Sequence, residues 1–418
     1  MTGTDRRVVV VGGGVIGLSC AWRLAGAGLA VTVVDPAPGS GASWVAGGML
    51  APVTEAWPGE ERLLALGEAS LARWPEFAAR LSAAAGVDAG LRTEGTVVAA
   101  VDGADREELD GVAAHLARLG REVRVLSGRE LRRLEPTLGP AVRGGLSVPG
   151  DLAVDNRALL GALRAALGDH GRAACGDSGA DSGPGSGDRG GGRGDRGDSG
   201  GRGEAHGASG RGTGRVRFVA RRAVAVRGGE VELDDGGVEH GDEVLLAAGP
   251  WSADLHPALR GRLRPVKGEI VRLRARSTAL PPPERTVRAV VSGRPVYLVP
   301  RAGGRLVLGA TQYEAGFDTE VTVAGVRDLL RDAETVLPGV AEYAIEEVSA
   351  GLRPASNDNL PLVGRLGPGL LVATGHGRNG ILLAPVTADA VCALVCGDPV
   401  PSELTIMEEH DEGVAQRR

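Results

Sequence analysis

The chain has 418 residues, 43% of them hydrophobic, and a formal net charge of −6. That length allows two or three cores, and the composition is that of an ordinary folded, soluble protein. So weak a charge gives no field to attract nucleic acid or anionic membrane, and neither is expected as a partner.

The first apolar run, Val8-Val9-Val10-Val11, leads into Gly12-Gly13-Gly14-Val15-Ile16-Gly17 and then Leu18, Ala21 and Leu24. This order predicts a buried strand, a tight turn and a helix, the arrangement that cradles a pyrophosphate. Gly12 permits the turn, Gly14 lets backbone approach phosphate, and Gly17 lets helix and strand pack closely, while the helix N-terminus offers its free N–H groups to the anion. A second strand, 31–34, ends at Asp35, about 20 residues on, where a carboxylate can bond a ribose hydroxyl. The lead before the first strand is short and polar, so no export signal is expected.

Residues 36–43 read as a loop. The Gly- and Ala-rich stretch 44–51 is too bare for strand or core helix; it is expected to cross a flat cofactor ring, with Ser43 near the phosphates. Residues 60–85 carry helical periodicity with an interruption expected near Pro75. A strand at 91–101, a helix at 105–119 and a strand at 123–126 suggest a second domain. Next comes a helix at 156–167, capped by Asp155 or Asn156.

Between 171 and 214 the sequence reduces to Gly, Asp, Arg and Ser, a composition that cannot bury enough surface to offset chain entropy, so a disordered insertion is expected. Its Arg-Gly clusters are matched by carboxylates, which argues against RNA binding. Short strands at 216–219, 223–226, 230–233 and 243–249 follow, the last ending in a bare glycine. Further β-rich runs at 266–273, 287–291, 296–299 and 306–309 predict a mostly antiparallel sheet, then a helix at 323–337 and a strand at 346–352. Residues 369–375 are strand, 376–380 turn and 381–395 helix, repeating the opening unit. That last apolar run is broken by Pro385 and Asp389 and falls short of the roughly 20 residues that span a bilayer.

The four cysteines, Cys20, Cys175, Cys392 and Cys396, have neither the density of a disulfide framework nor the spacing of a zinc site. No metal is expected, the cytoplasm is the expected compartment, and Cys392 and Cys396, one helical turn apart, are expected to face the core together.

Seven stretches together resemble flavoproteins of the D-amino-acid oxidase superfamily, and within it the glycine oxidases of thiamine biosynthesis. Besides the first glycine turn they are Ala46-Gly47-Gly48-Met49-Leu50, Ala248-Gly249-Pro250-Trp251-Ser252, Pro265-Val266-Lys267-Gly268-Glu269, Tyr297-Leu298-Val299-Pro300-Arg301, Gly351-Leu352-Arg353-Pro354 and Gly375-His376-Gly377-Arg378-Asn379-Gly380-Ile381-Leu382-Leu383. The resemblance implies an α/β fold: an FAD-binding, doubly wound Rossmann-like domain with a discontinuous α+β substrate domain on a mostly antiparallel sheet. The expected division is 1–85, 146–255 and 346–405 for FAD, 86–145 and 256–345 for substrate, the insertion at 171–214, and a flexible tail at 406–418.

The same resemblance implies that Gly12, Gly14, Val15, Ile16, Gly17, Asp35, Ser43, Gly47, Gly48, Met49, His376, Gly377, Arg378, Asn379, Gly380, Ile381 and Leu382 surround FAD, with Val224 beside the adenine. Arg353 grips the substrate carboxylate, Arg378 lies close by and Tyr297 lies over the pocket. An arginine fork suits a carboxylate because it donates two parallel hydrogen bonds. Gln312 stands where the glycine oxidase pattern has a methionine facing the pocket, and is expected to make that wall more polar. A helix starting at Asn379 or Gly380 is expected to turn its positive end toward the cofactor.

The activity implied is FAD-dependent oxidative deamination of glycine or another small amino acid by dioxygen, giving imine or glyoxylate, ammonia and hydrogen peroxide. A hand-off to thiazole synthase and assembly as a homo-oligomer are expected. A D-amino-acid or sarcosine oxidase or dehydrogenase of the same superfamily, and a non-catalytic nucleotide-binding interaction protein, stay open as alternatives.

Overall fold

The computed structural model describes residues 6–169 and 214–404, with the backbone of 406–407. The expected insertion, apart from Gly214, and the tail beyond 407 lie outside the described residues, as does Cys175.

Two large sheets carry the α/β architecture. In the first, strand β1 (Arg7–Val11) lies parallel between β2 (Ala30–Val34) and Glu243–Leu246. Val216–Val219 extends it beyond β2, and Leu370–Thr374 pairs in parallel with Glu243–Leu246 on the other side. Apolar side chains cover both faces, as parallel strands require. Helix α1 (Val15–Gly26) packs Leu18, Ala21 and Leu24 on one face, with the C-terminal helix Ala384–Cys396 beside it. Burying each of these leucines contributes ~1.5–3 kcal/mol. Because the chain leaves β1 for a neighbour on one side and reaches the other neighbour much later, a crevice opens at the carboxyl ends of these strands.

The second sheet has eight mostly antiparallel strands, in the order Tyr343–Ser356, Leu263–Ala275, Arg305–Gly309, Arg294–Arg301, Thr286–Val291, Thr96–Ala100, Gly144–Val148 and Arg124–Ser127. The expected division at 145/146 falls inside one of these strands and that at 345/346 inside another. A small apolar cluster of Val45, Ala153, Ile270, Val299 and Val307, with Met49 and Tyr297 against it, joins this sheet to the chain that follows β2.

Several elements differ from expectation. Helix Glu61–Ala85 runs unbroken through Pro75. Its buried stripe of Leu66, Trp74, Phe77 and Leu81, with Ser70 Oγ and Trp74 Nε1 donating to the Leu382 carbonyl, outweighs one missing backbone bond. The bare stretch contains a short helix, Ala42–Val45, and a two-residue strand, Met49–Leu50, paired with Leu152–Val154. Asp155, and not Asn156, caps helix Asn156–Ala166, accepting from the Arg157 and Ala158 N–H groups. Ile406–Met407 adds an edge strand beside Leu362–Gly367, so the expected tail starts ordered. Cys392 is half-buried and Cys396 exposed, because the last turn of the helix buries Ala393 and Val395 instead. The last helix begins at Ala384, after a 3-10 turn over Gly377–Asn379, so its N-terminus is not at Asn379 or Gly380. Among the described residues no helix is long and apolar enough to cross a membrane.

Candidate active site

The crevice at the strand ends is a cavity of about 620 Å³, continuous from the first glycine turn to the second sheet. At its outer end Gly12 has φ +110°, and a Cβ there would sit 2.3 Å from the Ala247 carbonyl oxygen. A Cβ on Gly17 would sit 1.9 Å from the Gly12 carbonyl oxygen, so this glycine permits the helix to close on the turn. Gly14 is the N-cap of α1, and Ser43 Oγ accepts from the Val15 N–H at 3.0 Å. The Asp35 carboxylate accepts from the Gly13 and Ala37 N–H groups, both at 2.7 Å, which fixes it at the cavity edge. Val224 and Trp251 also line the cavity.

At the inner end the wall is built by two strands of the second sheet. Tyr297 lies between two glycines: a Cβ on Gly47 would meet its ring at 2.7 Å and one on Gly309 at 2.5 Å. Arg353 occupies the space over Gly268, where a Cβ would come within 2.2 Å of its Nη1. Its guanidinium is half-buried, forms no ion pair among the described residues, and makes one long hydrogen bond, 3.4 Å to the Thr311 carbonyl. Burial raises the Tyr297 hydroxyl pKa, and Arg353 opposes that shift.

His376 is buried, with Nε2 3.0 Å from Thr387 Oγ1, and burial pushes its imidazole down to about 3, so it stays neutral. Arg301, buried beneath the Gly47-Gly48 turn, donates from Nη2 to the Gly47 carbonyl at 2.6 Å. Asn156 Nδ2 donates to the Ser43 and Trp44 carbonyls, both at 2.8 Å. Together they pin the bare segment along the cavity.

The sequence pattern of the FAD dependent oxidoreductases (DAO) matches residues 7–187 and 202–394. The chain belongs to this family. It is 30% identical over 93% of its length to the bifunctional protein ThiO/ThiG of a Nostoc species, of which it spans about half, 52%. It is 32% identical to the glycine oxidase of Pseudomonas aeruginosa, covering 95% of this chain and 98% of that one. Among solved structures it resembles glycine oxidase from Geobacillus kaustophilus, with a TM-score of 0.77 and 28% identity over 95% of this chain and 96% of the other.

As an FAD dependent oxidoreductase the protein needs room for a dinucleotide and a flavin ring, and the cavity fits both. The turn with its uncovered Gly14 and the neighbouring helix N-terminus suit a pyrophosphate. Backbone without side chains at Gly47 and Gly48 leaves a flat surface further in. Gly12, Gly14, Val15, Ile16, Asp35, Ser43, Gly47, Gly48, Met49, Val224, His376, Gly377, Arg378, Gly380, Ile381, Tyr297 and Arg353 all line it.

Four expected site residues do not. Gly17 packs against the turn, Asn379 and Leu382 are buried behind the wall, and Gln312 is exposed outside the cavity, so it does not polarise the pocket. The last strand before it ends at Gly309, and Tyr313 then bonds back to Lys267 through both backbone groups, carrying the chain outward.

Arg378 lines the cavity, yet its Nη2 already donates to Glu60 Oε2 and to the Glu55 carbonyl. Glu55, Trp251 and Asp254 line the cavity without having been singled out as site residues. Trp251 alone had a signal, its place in the stretch Ala248-Gly249-Pro250-Trp251-Ser252.

Proposed function

We propose that the protein is an amino-acid oxidase that deaminates glycine or another small amino acid, producing an imine that hydrolyses to glyoxylate and ammonia, and hydrogen peroxide. The observation that carries the reading is Arg353, a half-buried cation without a carboxylate partner among the described residues, in one cavity with a dinucleotide-type glycine turn. The resemblance to glycine oxidases over nearly their whole length supports the substrate class.

In this reading Gly12, Gly14, Val15, Ile16, Asp35 and Ser43 hold the dinucleotide, and Gly47, Gly48, Met49, His376, Gly377, Gly380 and Ile381 surround the flavin. The chemistry that FAD supplies when bound is two-electron oxidation of a C–N single bond, with dioxygen as the terminal acceptor. Arg353 clamps the substrate carboxylate in a planar fork and thereby fixes Cα, a proximity effect. Tyr297, held between Gly47 and Gly309, adds a hydroxyl donor above the same pocket. Buried His376 contributes neutral bulk that excludes water. No side-chain base is required once the amine is neutral, and a substrate that binds as the zwitterion gives up one ammonium proton before its C–N bond is oxidised.

Matching half of a ThiO/ThiG chain supports delivery of the product to a thiazole synthase partner for thiamine biosynthesis. Peroxide release by the FAD-loaded protein with glycine, sarcosine, D-alanine and D-proline tests the activity. Peroxide with at least one of them is expected, glycine foremost; none with any of the four contradicts the reading.

A further inference from the structure

We propose that Glu55 recognises the amine of the substrate, which makes the inner cavity a site for a zwitterion and not for a carboxylate alone. The inference rests on the amino-acid reading above.

An α-amino acid brings two charged poles into a pocket that excludes water, and each needs a partner there. Arg353 meets the carboxylate. The other ionisable side chains lining the inner end are Glu55, Arg378, Tyr297 and the neutral His376. Asp35 is tied to the first glycine turn, and Asp254 lies on Ser252–Leu255, which packs on the strand that carries Val224. Glu55 is thus the carboxylate of the inner end among the described residues. It and Arg353 act in opposite directions on Tyr297, raising and lowering its hydroxyl pKa, so one side chain senses both charges.

Glu55 is held without being saturated. Arg288 Nη1 approaches its Oε1 at 2.9 Å, an ion pair that lacks the alignment of a hydrogen bond. Arg378 Nε stands 3.8 Å from Oε2, and Arg378 Nη2 donates to the Glu55 main-chain carbonyl at 3.3 Å. Arg288 itself lies directly across the strand pair from Tyr297, so the pair is mounted on the same wall. A carboxylate offers about four acceptor positions. None of those on Glu55 receives a hydrogen bond from the described residues, which leaves the N–H groups of an amine as natural donors. Without Glu55, an incoming ammonium would face Arg353 and Arg378, with Glu60 already bonded to Arg378.

The test compares two ligands of nearly the same shape on the FAD-loaded protein, wild type and Glu55→Gln. Glycolate is titrated against the oxidised protein by its perturbation of the flavin absorption band. Glycine binding is read from the anaerobic rate of flavin bleaching, as the glycine concentration that gives half the maximal rate. Losing a charged hydrogen-bond partner is expected to weaken glycine about tenfold to a hundredfold. Removing a negative charge beside the anion site is expected to leave glycolate unchanged or tighter.

Weakening of both ligands together would make Glu55 merely structural and overturn the proposal, as would unchanged glycine binding. Failure of the wild type to respond to either ligand would instead overturn the amino-acid reading on which the proposal rests.

Discussion

In the proposed reading Arg353 is the residue on which substrate binding turns, and its surroundings give its replacement a specific signature. Arg353→Ala removes a charge-assisted fork, so the Michaelis constant for glycine should rise about a hundredfold while FAD stays bound. Steady-state kinetics with a flavin count per chain checks both halves.

Asp151 presents a different residue-scale effect. It is fully buried, accepts from Thr54 Oγ1 at 2.8 Å, and burial pushes its carboxyl up to about 7. The fold therefore favours the protonated acid. Its stabilising contribution is complete below the ordinary value of 3.8 and is lost as pH rises through about 7. His376 works in reverse: with its pKa depressed from 6.5 to about 3, its contribution is complete above 6.5 and lost as pH falls toward 3. Asp151→Asn should therefore raise the unfolding midpoint at pH 8 and leave it near wild type at pH 4, as read by thermal melts across pH.

At the scale of elements, the site is made by two glycine-bearing segments that meet in the crevice. Gly48 has φ +71°, and a Cβ on it would sit 2.1 Å from the Val154 carbonyl oxygen. Gly48→Ala should force the bare segment off its neighbour, lowering both stability and flavin content. Gly268→Ala intrudes on the Arg353 guanidinium and not on the nucleotide end. It should raise the Michaelis constant and keep the flavin, a separation that flavin absorbance and kinetics resolve.

These segments also mark how far the sequence could be read. Gly12 to Gly17 and Asp35 were legible because strand, turn, helix and strand are consecutive, so local spacing determines the geometry. Arg353 and Tyr297 were legible through motifs alone, since nothing in either strand's periodicity distinguishes a pocket side chain from a core one. Glu55 was not legible: it sits in an aperiodic loop, and its partners Arg288 and Arg378 arrive from distant parts of the chain. The continuity of Glu61–Ala85 through Pro75 likewise depends on tertiary burial of Trp74 and Phe77, which local propensity does not contain.

Across the whole molecule, the cavity is lined from β1, from the chain after β2, from the second sheet and from the C-terminal turn at Gly377–Asn379, so a bound dinucleotide ties together distant parts of the sequence. A ligand that binds only the folded state adds about 2.7 kcal/mol of stability at roughly a hundred times its Kd. Removing FAD should therefore lower the unfolding midpoint, and adding it back should restore the midpoint in a concentration-dependent way. Equal midpoints with and without FAD would mean that the cavity is not its site.

The central claim joins this cavity to one chemistry, the two-electron oxidation of a small amino acid held by Arg353. It is tested most directly by mixing the FAD-loaded protein with glycine under anaerobic conditions and following the oxidised flavin bands. The account predicts that the bands bleach and return on admission of air, with release of hydrogen peroxide. Bands that persist at saturating glycine, sarcosine, D-alanine and D-proline would contradict it.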